Sequence, residues 1–151
     1  MIEIALYQPD IAANTATVMR LAACLGVPVA VIEPAGFTWS DSSLKRAGMD
    51  YLDKAELIRD SSWEAFHERT RGRRLVLMTT KSATPYCDFR FAAGDVILMG
   101  RESTGVPGEV HGAADARLLI PMRPGLRSIN VALACAMVTG EALRQLESFP
   151  R

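Results

Sequence analysis

Five short apolar runs punctuate the chain: Ile2 to Leu6, Val29 to Ile32, Arg74 to Thr79, Val96 to Met99 and Arg117 to Ile120. Between them apolar residues recur at spacings of three and four. Continuous apolar runs of this length belong to strands covered on both faces, and strands alternating with helical stretches run side by side in one direction. The pattern predicts an α/β fold, a mostly parallel sheet with helices on both faces. The first helix is expected to take Asn14 as its N-cap, to carry a core stripe of Val18, Leu21, Ala22 and Leu25, and to end at Gly26. Ser62 to Arg71 reads as a surface helix closed by Gly72. The last helix opens at Ser128 and is apolar around most of its circumference through Val138, the signature of a buried helix rather than a half-solvated one. In a chain of this size a second subunit is expected to cover one side of it. No repeat, low-complexity tract or linker interrupts the pattern, so residues 1–151 read as one domain.

Composition narrows the choices. A length of 151 residues suffices for a real core but not for a catalytic domain with a separate binding appendage. Seventeen basic residues balance seventeen acidic ones, so any attraction to a polyanion must come from local patches. Cys24, Cys87 and Cys135 lack C-x-x-C spacing and only His67 and His111 accompany them, which argues against a structural metal and for three reduced, mostly buried thiols. The first strand begins at residue 2 without a charged leader, and no apolar run reaches the roughly 18 residues of a membrane span. A cytoplasmic protein with no membrane segment is expected.

The chemistry concentrates between Val96 and Ala136. The strand Val96 to Met99 empties into Gly100-Arg101-Glu102-Ser103-Thr104-Gly105-Val106-Pro107, and the strand ending at Ile120 empties into a loop closing on Arg127-Ser128-Ile129-Asn130. Backbone N–H groups freed at strand ends and helix N-termini bind polar ligands. By itself Gly100 to Pro107 also suits a strand-to-helix turn with Pro107 at the first helical position. It lacks the Lys-Ser/Thr of a phosphate loop, is not G-x-G-x-x-G, and places Ser103 outside a G-x-S-x-G elbow. Glu102, following an apolar strand, needs a hydrogen-bonding or cationic partner if buried. Pro124-Gly125 signals a type II turn, and Ser128 suits an N-cap. Arg117, Arg123 and Arg127 fall in a stretch from Ala116 to Gly140 without an acidic residue, a local positive surface suited to an anionic partner.

Elsewhere the bland readings prevail. Arg20 lies opposite the first helix's core stripe and reads as solvated. Arg69, Arg71, Arg73 and Arg74 read as a solvated helix C-terminus complementing its dipole. His67 and His111 read as surface residues. Tyr7, Tyr51, Trp39 and Trp63 are too scattered to stack single-stranded bases.

The order G-x-E-x-x-G-x-P, then Ile120-Pro121-Met122, then Ser128-Ile129-Asn130-Val131-Ala132 resembles the RNA methyltransferases of the SPOUT superfamily. In the N-terminal half, Pro9-Asp10-Ile11 with Asn14-Thr15 and Arg20, Ile32-Glu33-Pro34 with Gly36-Phe37, Lys45-Arg46-Ala47-Gly48 with Asp50-Tyr51, and Leu77-Met78-Thr79-Thr80-Lys81 resemble its smallest members. Those are the TrmL group, which methylate the ribose 2′-hydroxyl of the tRNA wobble nucleotide, and the likeness spans nearly the whole chain. It implies a C-terminal trefoil knot, an exception to the rule against threaded chains. It also implies S-adenosylmethionine held by Met78, Thr79, Gly100, Glu102, Gly105, Ile120, Met122 and Ser128. Catalytic roles fall to Arg20, Asn14, Glu102, Ser128 and Asn130, with no metal, in a homodimer acting on the cytidine or uridine of a tRNA anticodon stem-loop. Ala12 and Ala16 replace a proline and a glycine common in the group, and Gly140 replaces a common tyrosine. Two rivals stay open: a dimeric RNA-binding module without activity, whose signature would be loss of Arg20, Glu102 or Asn130, and an unrelated nucleotide-binding enzyme. All three residues are present.

Overall fold

Strand β1 (Glu3–Tyr7) sends Ile4 and Leu6 to one core and Ala5 and Tyr7 to another, and three further strands repeat the division. In β2 (Val29–Ile32) Val29 and Val31 part from Ala30 and Ile32. In β4 (Leu75–Met78) and β5 (Val96–Met99) Val76, Met78, Ile97 and Met99 part from Leu75, Leu77, Val96 and Leu98. Side chains alternate across a strand, so a run apolar at every position needs cover on both faces. Helices supply that cover: α1 (Ala12–Leu25) and α5 (Val131–Gln145) on the first face, α3 (Trp63–Arg69) and α4 (Gly108–Ala113) on the second. Leu44, from α2 (Ser42–Gly48), joins the first core.

The computed structural model describes residues 1–40, 42–48 and 53–151. With β3 (Leu57–Asp60) and β6 (Ala116–Leu118) its sheet has six strands, all parallel, in the order β3-β2-β1-β5-β4-β6. The α/β architecture with helices on both faces is therefore as the pattern predicts. Asp50 and Tyr51 of the N-terminal motif lie outside the described residues. Among the described residues no helix is long and apolar enough to cross a membrane.

Several local expectations need correction. The strand β3 (Leu57–Asp60) was not expected; at the sheet edge its two apolar residues are only half-buried and are followed by exposed Arg59 and buried Asp60, too weak a signal in four residues. The sixth strand, β6 (Ala116–Leu118), is shorter than the predicted run. Asn14 is not the N-cap of α1, which begins at Ala12 after Ile11. Nor does Ser128 cap α5: Asn130 does, its Oδ1 accepting from the N–H groups of Ala132 and Leu133. Pro107 stands one residue before α4 rather than inside it. Cys24 and Cys87 are exposed, and of the three thiols Cys135 alone is buried. Within this chain α5 buries Ala132, Cys135, Val138, Thr139, Ala142 and Leu143 but leaves Leu133 and Met137 exposed, so it is half covered rather than enclosed.

Candidate active site

Parallel strands that end together leave their C-terminal loops on one edge, where open α/β sheets place ligands. Here β4 and β5 stop in register at Met78 and Met99, and Thr79 N–H continues the ladder to the Leu118 carbonyl. Beyond them lies a cavity of about 460 Å³. Its wall brings together, from five separate stretches, Asn14, Met78 and Thr79, Gly100, Glu102 and Gly105, Ile120 and Met122, and Ser128 and Asn130. Arg20 is not in that wall; it lies on the exposed side of α1.

The loop after β5 is held by its own backbone. Arg101 and Gly105 exchange N–H to carbonyl bonds of 3.0 and 2.8 Å, and Gly105 makes the reversal at φ +69°, a conformation glycine adopts without strain. A Cβ at Gly100 would fall 3.1 Å from the Gly105 Cα, so the two glycines keep the loop folded tightly on the strand end.

This folding carries Glu102 to the start of α1. Glu102 Oε2 accepts from Asp10 N–H at 3.0 Å and Ile11 N–H at 2.8 Å. Ile11 has no side-chain cap to offer α1, so a carboxylate more than ninety residues away in sequence meets N–H groups where α1 begins. On the next turn of α1, Asn14 Oδ1 accepts from Asn130 Nδ2 at 3.1 Å while Asn130 caps α5. Glu102, Asn14 and Asn130 thus form one linked set joining the loop after β5, α1 and α5 around the cavity.

Burial, then the neighbouring Asp10 carboxyl, raise the Glu102 carboxyl to about 7, against the two backbone N–H groups that favour its charged form. The hydrogen bond with Glu102, followed by those with Ser103 and Arg101, holds Asp10 down at about 2. Glu102 therefore binds its proton more tightly folded than unfolded, where its ordinary value is 4.5. Its contribution to stability is full below about pH 4.5 and is lost as pH rises through about 7. The thermal midpoint is expected to fall from about pH 5 to about pH 8. Glu102→Gln keeps an acceptor for the two N–H groups and offers Asp10 an amide hydrogen, so that slope should flatten; an unchanged slope in thermal melts across this range would assign the proton elsewhere.

Two residues differ from their sequence reading. Arg117 does not contribute a free cation, because its guanidinium donates to the carbonyls of His111, Gly112 and Ala114 at the end of α4. His111 is half-buried and lines the cavity, with Nε2 closed off and without a hydrogen-bond partner among the described residues. Arg101 and Lys81, present in the quoted motifs but given no role there, add cationic side chains to the wall. His67 is exposed, as expected, and stacks on Trp63 at 5.1 Å.

The sequence pattern of the SpoU rRNA Methylase family matches residues 1–140. The chain belongs to this family. Among SpoU relatives, a Beijerinckia indica subsp. indica protein named tRNA (cytidine(34)-2′-O)-methyltransferase is 59% identical over 145 residues, covering 95% of this chain and 91% of that protein. A solved structure concerning the 2-OH methylation of C/U34 on tRNA superposes with a TM-score of 0.93 at 40% identity, covering 97% of both chains. The AdoMet-bound rRNA methyltransferase of Sinorhizobium meliloti superposes with a TM-score of 0.87 at 24% identity, over 96% of this chain and 56% of that one, a likeness of fold.

Proposed function

We propose that this SpoU-family chain transfers the methyl group of S-adenosylmethionine to the ribose 2′-oxygen of the wobble cytidine or uridine 34 in tRNA, as a cytoplasmic homodimer reading the anticodon stem-loop. The observation that carries the proposal is convergence: motif residues from five stretches meet at one cavity, in a chain 59% identical to a relative of that name.

The cavity suits the donor. Its volume of about 460 Å³ falls within the roughly 300–1,000 Å³ of small-molecule sites, and apolar Met78, Met99, Val106, Ile120 and Met122 alternate with polar Thr79 and Ser128. Met78, Thr79, Gly100, Glu102, Gly105, Ile120, Met122 and Ser128 would hold it. When bound, it supplies a methyl group already activated on a cationic sulfur, so no metal is needed. The protein's work is then to exclude water and to orient the ribose hydroxyl in line. A guanidinium does not lose its proton at physiological pH, so Arg20 acts by stabilising negative charge as it develops on the 2′-oxygen. Asn14 and Asn130, at the cavity rim, and Ser128 set the approach of the nucleotide.

Two features support a dimer. Leu133, 61% exposed, and Met137, 41% exposed, stand one turn apart on α5 and form an apolar face that a second copy would cover. Arg20 lies outside its own chain's cavity wall, as expected of a residue that completes a neighbour's site. The proposed trefoil knot is supported by the path after β6: Leu119 N–H donates to Thr84 and its carbonyl accepts from Tyr86, so the last segment runs against the β4–β5 connection before α5.

S-adenosylmethionine, but not ATP or NAD, is expected to raise the thermal midpoint, because a ligand that binds the native state selectively must. With labelled donor and total tRNA, label should appear on ribose at position 34. Label confined to bases would overturn the proposal.

A further inference from the structure

Asp10 has no part in the chemistry assigned so far, yet it is closely confined beside Glu102 and Gly36. Its side chain is 20% exposed, and Oδ1 is buried without a hydrogen-bond partner among the described residues. Oδ2 lies 3.3 Å from Arg101 Nε. The backbone leaves it no room to retreat: a Cβ at Gly36 would fall 2.7 Å from Asp10 Cβ and 2.9 Å from its Cα, and Gly36 N–H donates to the Pro9 carbonyl at 2.8 Å. Against it stands the Glu102 carboxyl, whose Oε2 is already committed to the N–H groups of Asp10 and Ile11. Two carboxylates in contact repel unless a proton lies between them, and the unmatched oxygen on Asp10 is an acceptor in search of one.

We infer that Asp10 is a positioning residue of the methyl-transfer site: it and Glu102 share one proton, and this closed pair fastens the start of α1 to the loop after β5, setting Asn14 and Asn130 around the cavity. The physical logic is that α1 starts without a cap of its own. Its register against the loop therefore depends on Glu102, and Glu102 keeps its place beside Asp10 only while the proton joins them. Among the described residues the charged group beside the pair is Arg101, which attracts Asp10. Ser103, on the same loop, also favours the charged form of Asp10. The inference rests on the methyl-transfer reading for its consequence but not for the proton.

Both parts are testable on the full-length protein. Carboxyl-carbon NMR of chain labelled at Asp and Glu, with the Glu102 signal assigned by Glu102→Gln, should show Glu102 titrating near pH 7. Asp10→Asn removes the anionic neighbour and should lower that titration by about one pH unit or more. In steady-state methyl transfer, Asp10→Ala, which leaves Glu102 no partner for its proton, should lower kcat about tenfold below pH 7 with little change in KM for the donor. The deficit should shrink towards pH 9, where wild type has also lost the shared proton. A Glu102 titration that does not respond to Asp10→Asn, or a deficit equal at every pH, as mere loss of packing would give, overturns the inference. Should Asp10→Ala fail to fold, the near-isosteric Asn variant still decides. Wild type that titrates as described but methylates no tRNA ribose would instead overturn the proposed activity.

Discussion

Arg20→Ala is expected to cut methyl transfer at least about a hundredfold while leaving the dissociation constant for S-adenosylmethionine within about twofold. The division follows from placement. Arg20 is on the exposed side of α1, outside the cavity wall, whereas Val18, Met19 and Ala22 carry that helix's burial in the core. Alanine is the best helix former, so the helix and the Asn14–Asn130 contact should persist. Calorimetry with the donor and steady-state kinetics with tRNA separate the two effects, and lost donor affinity would place Arg20 in the donor site. A mixed dimer extends the test across the subunit boundary. One protomer carries Arg20→Ala and the other Gly100→Val, whose side chain collides with Gly105 and closes the cavity. If Arg20 completes the neighbour's site, the mixture regains activity that neither variant has alone. Activity no higher than that of the separate variants would place Arg20 in its own chain's site.

The strands were legible because burial on both faces writes itself into consecutive residues. Val29–Ile32 and Val96–Met99 are apolar at every position and have the bounds the pattern gives. At the sheet edge the same physics erases the signal: β3 reads Leu-Ile-Arg-Asp, and its existence depends on pairing with β2 rather than on its own composition. Helix starts were misread for a related reason. Asn14 has the right chemistry for an N-cap, but the N–H groups at the start of α1 meet Glu102, a partner that no local window contains. Asn14 is used instead to reach Asn130, which displaces Ser128 from the capping role at α5.

The cavity was legible through motif order rather than through chemistry visible in any one residue. Nothing about Met78, Ile120 or Ser128 alone marks a ligand site, and only the fold brings their stretches to one edge of the sheet. His111 shows the opposite failure. A lone histidine on a short helix reads as solvated, and only the turn of α4 over the strand ends turns it into cavity wall.

Arg69→Met is expected to destabilise the chain by about 3 kcal/mol, through the acids that the arginine serves. Arg69 binds both oxygens of Asp60 at 2.9 Å and reaches Glu3 Oε1 at 2.7 Å. Asp60 is 6% exposed and Glu3 is 3% exposed. Glu3 would keep Arg73, but Asp60 would lose the cation that compensates it. An unpaired buried charge costs more than the pair contributes, so Arg69→Met with Asp60→Leu should recover most of the loss. Arg71, 78% exposed and paired with Glu68 three residues earlier, should change stability by less than about 0.5 kcal/mol on truncation. Equilibrium denaturation of the three variants distinguishes this network from the solvated, dipole-complementing cluster that the sequence implied, for which all of these arginines would be nearly neutral. The spacing of the arginines could not reveal the difference, because Glu3 lies 66 residues from Arg69 and 70 from Arg73. Glu3 opens β1, while the loop bearing Glu102 leaves the opposite end of the parallel sheet. At temperatures where Arg69→Met remains folded, its kcat should therefore match wild type, separating what holds the sheet together from what the cavity does.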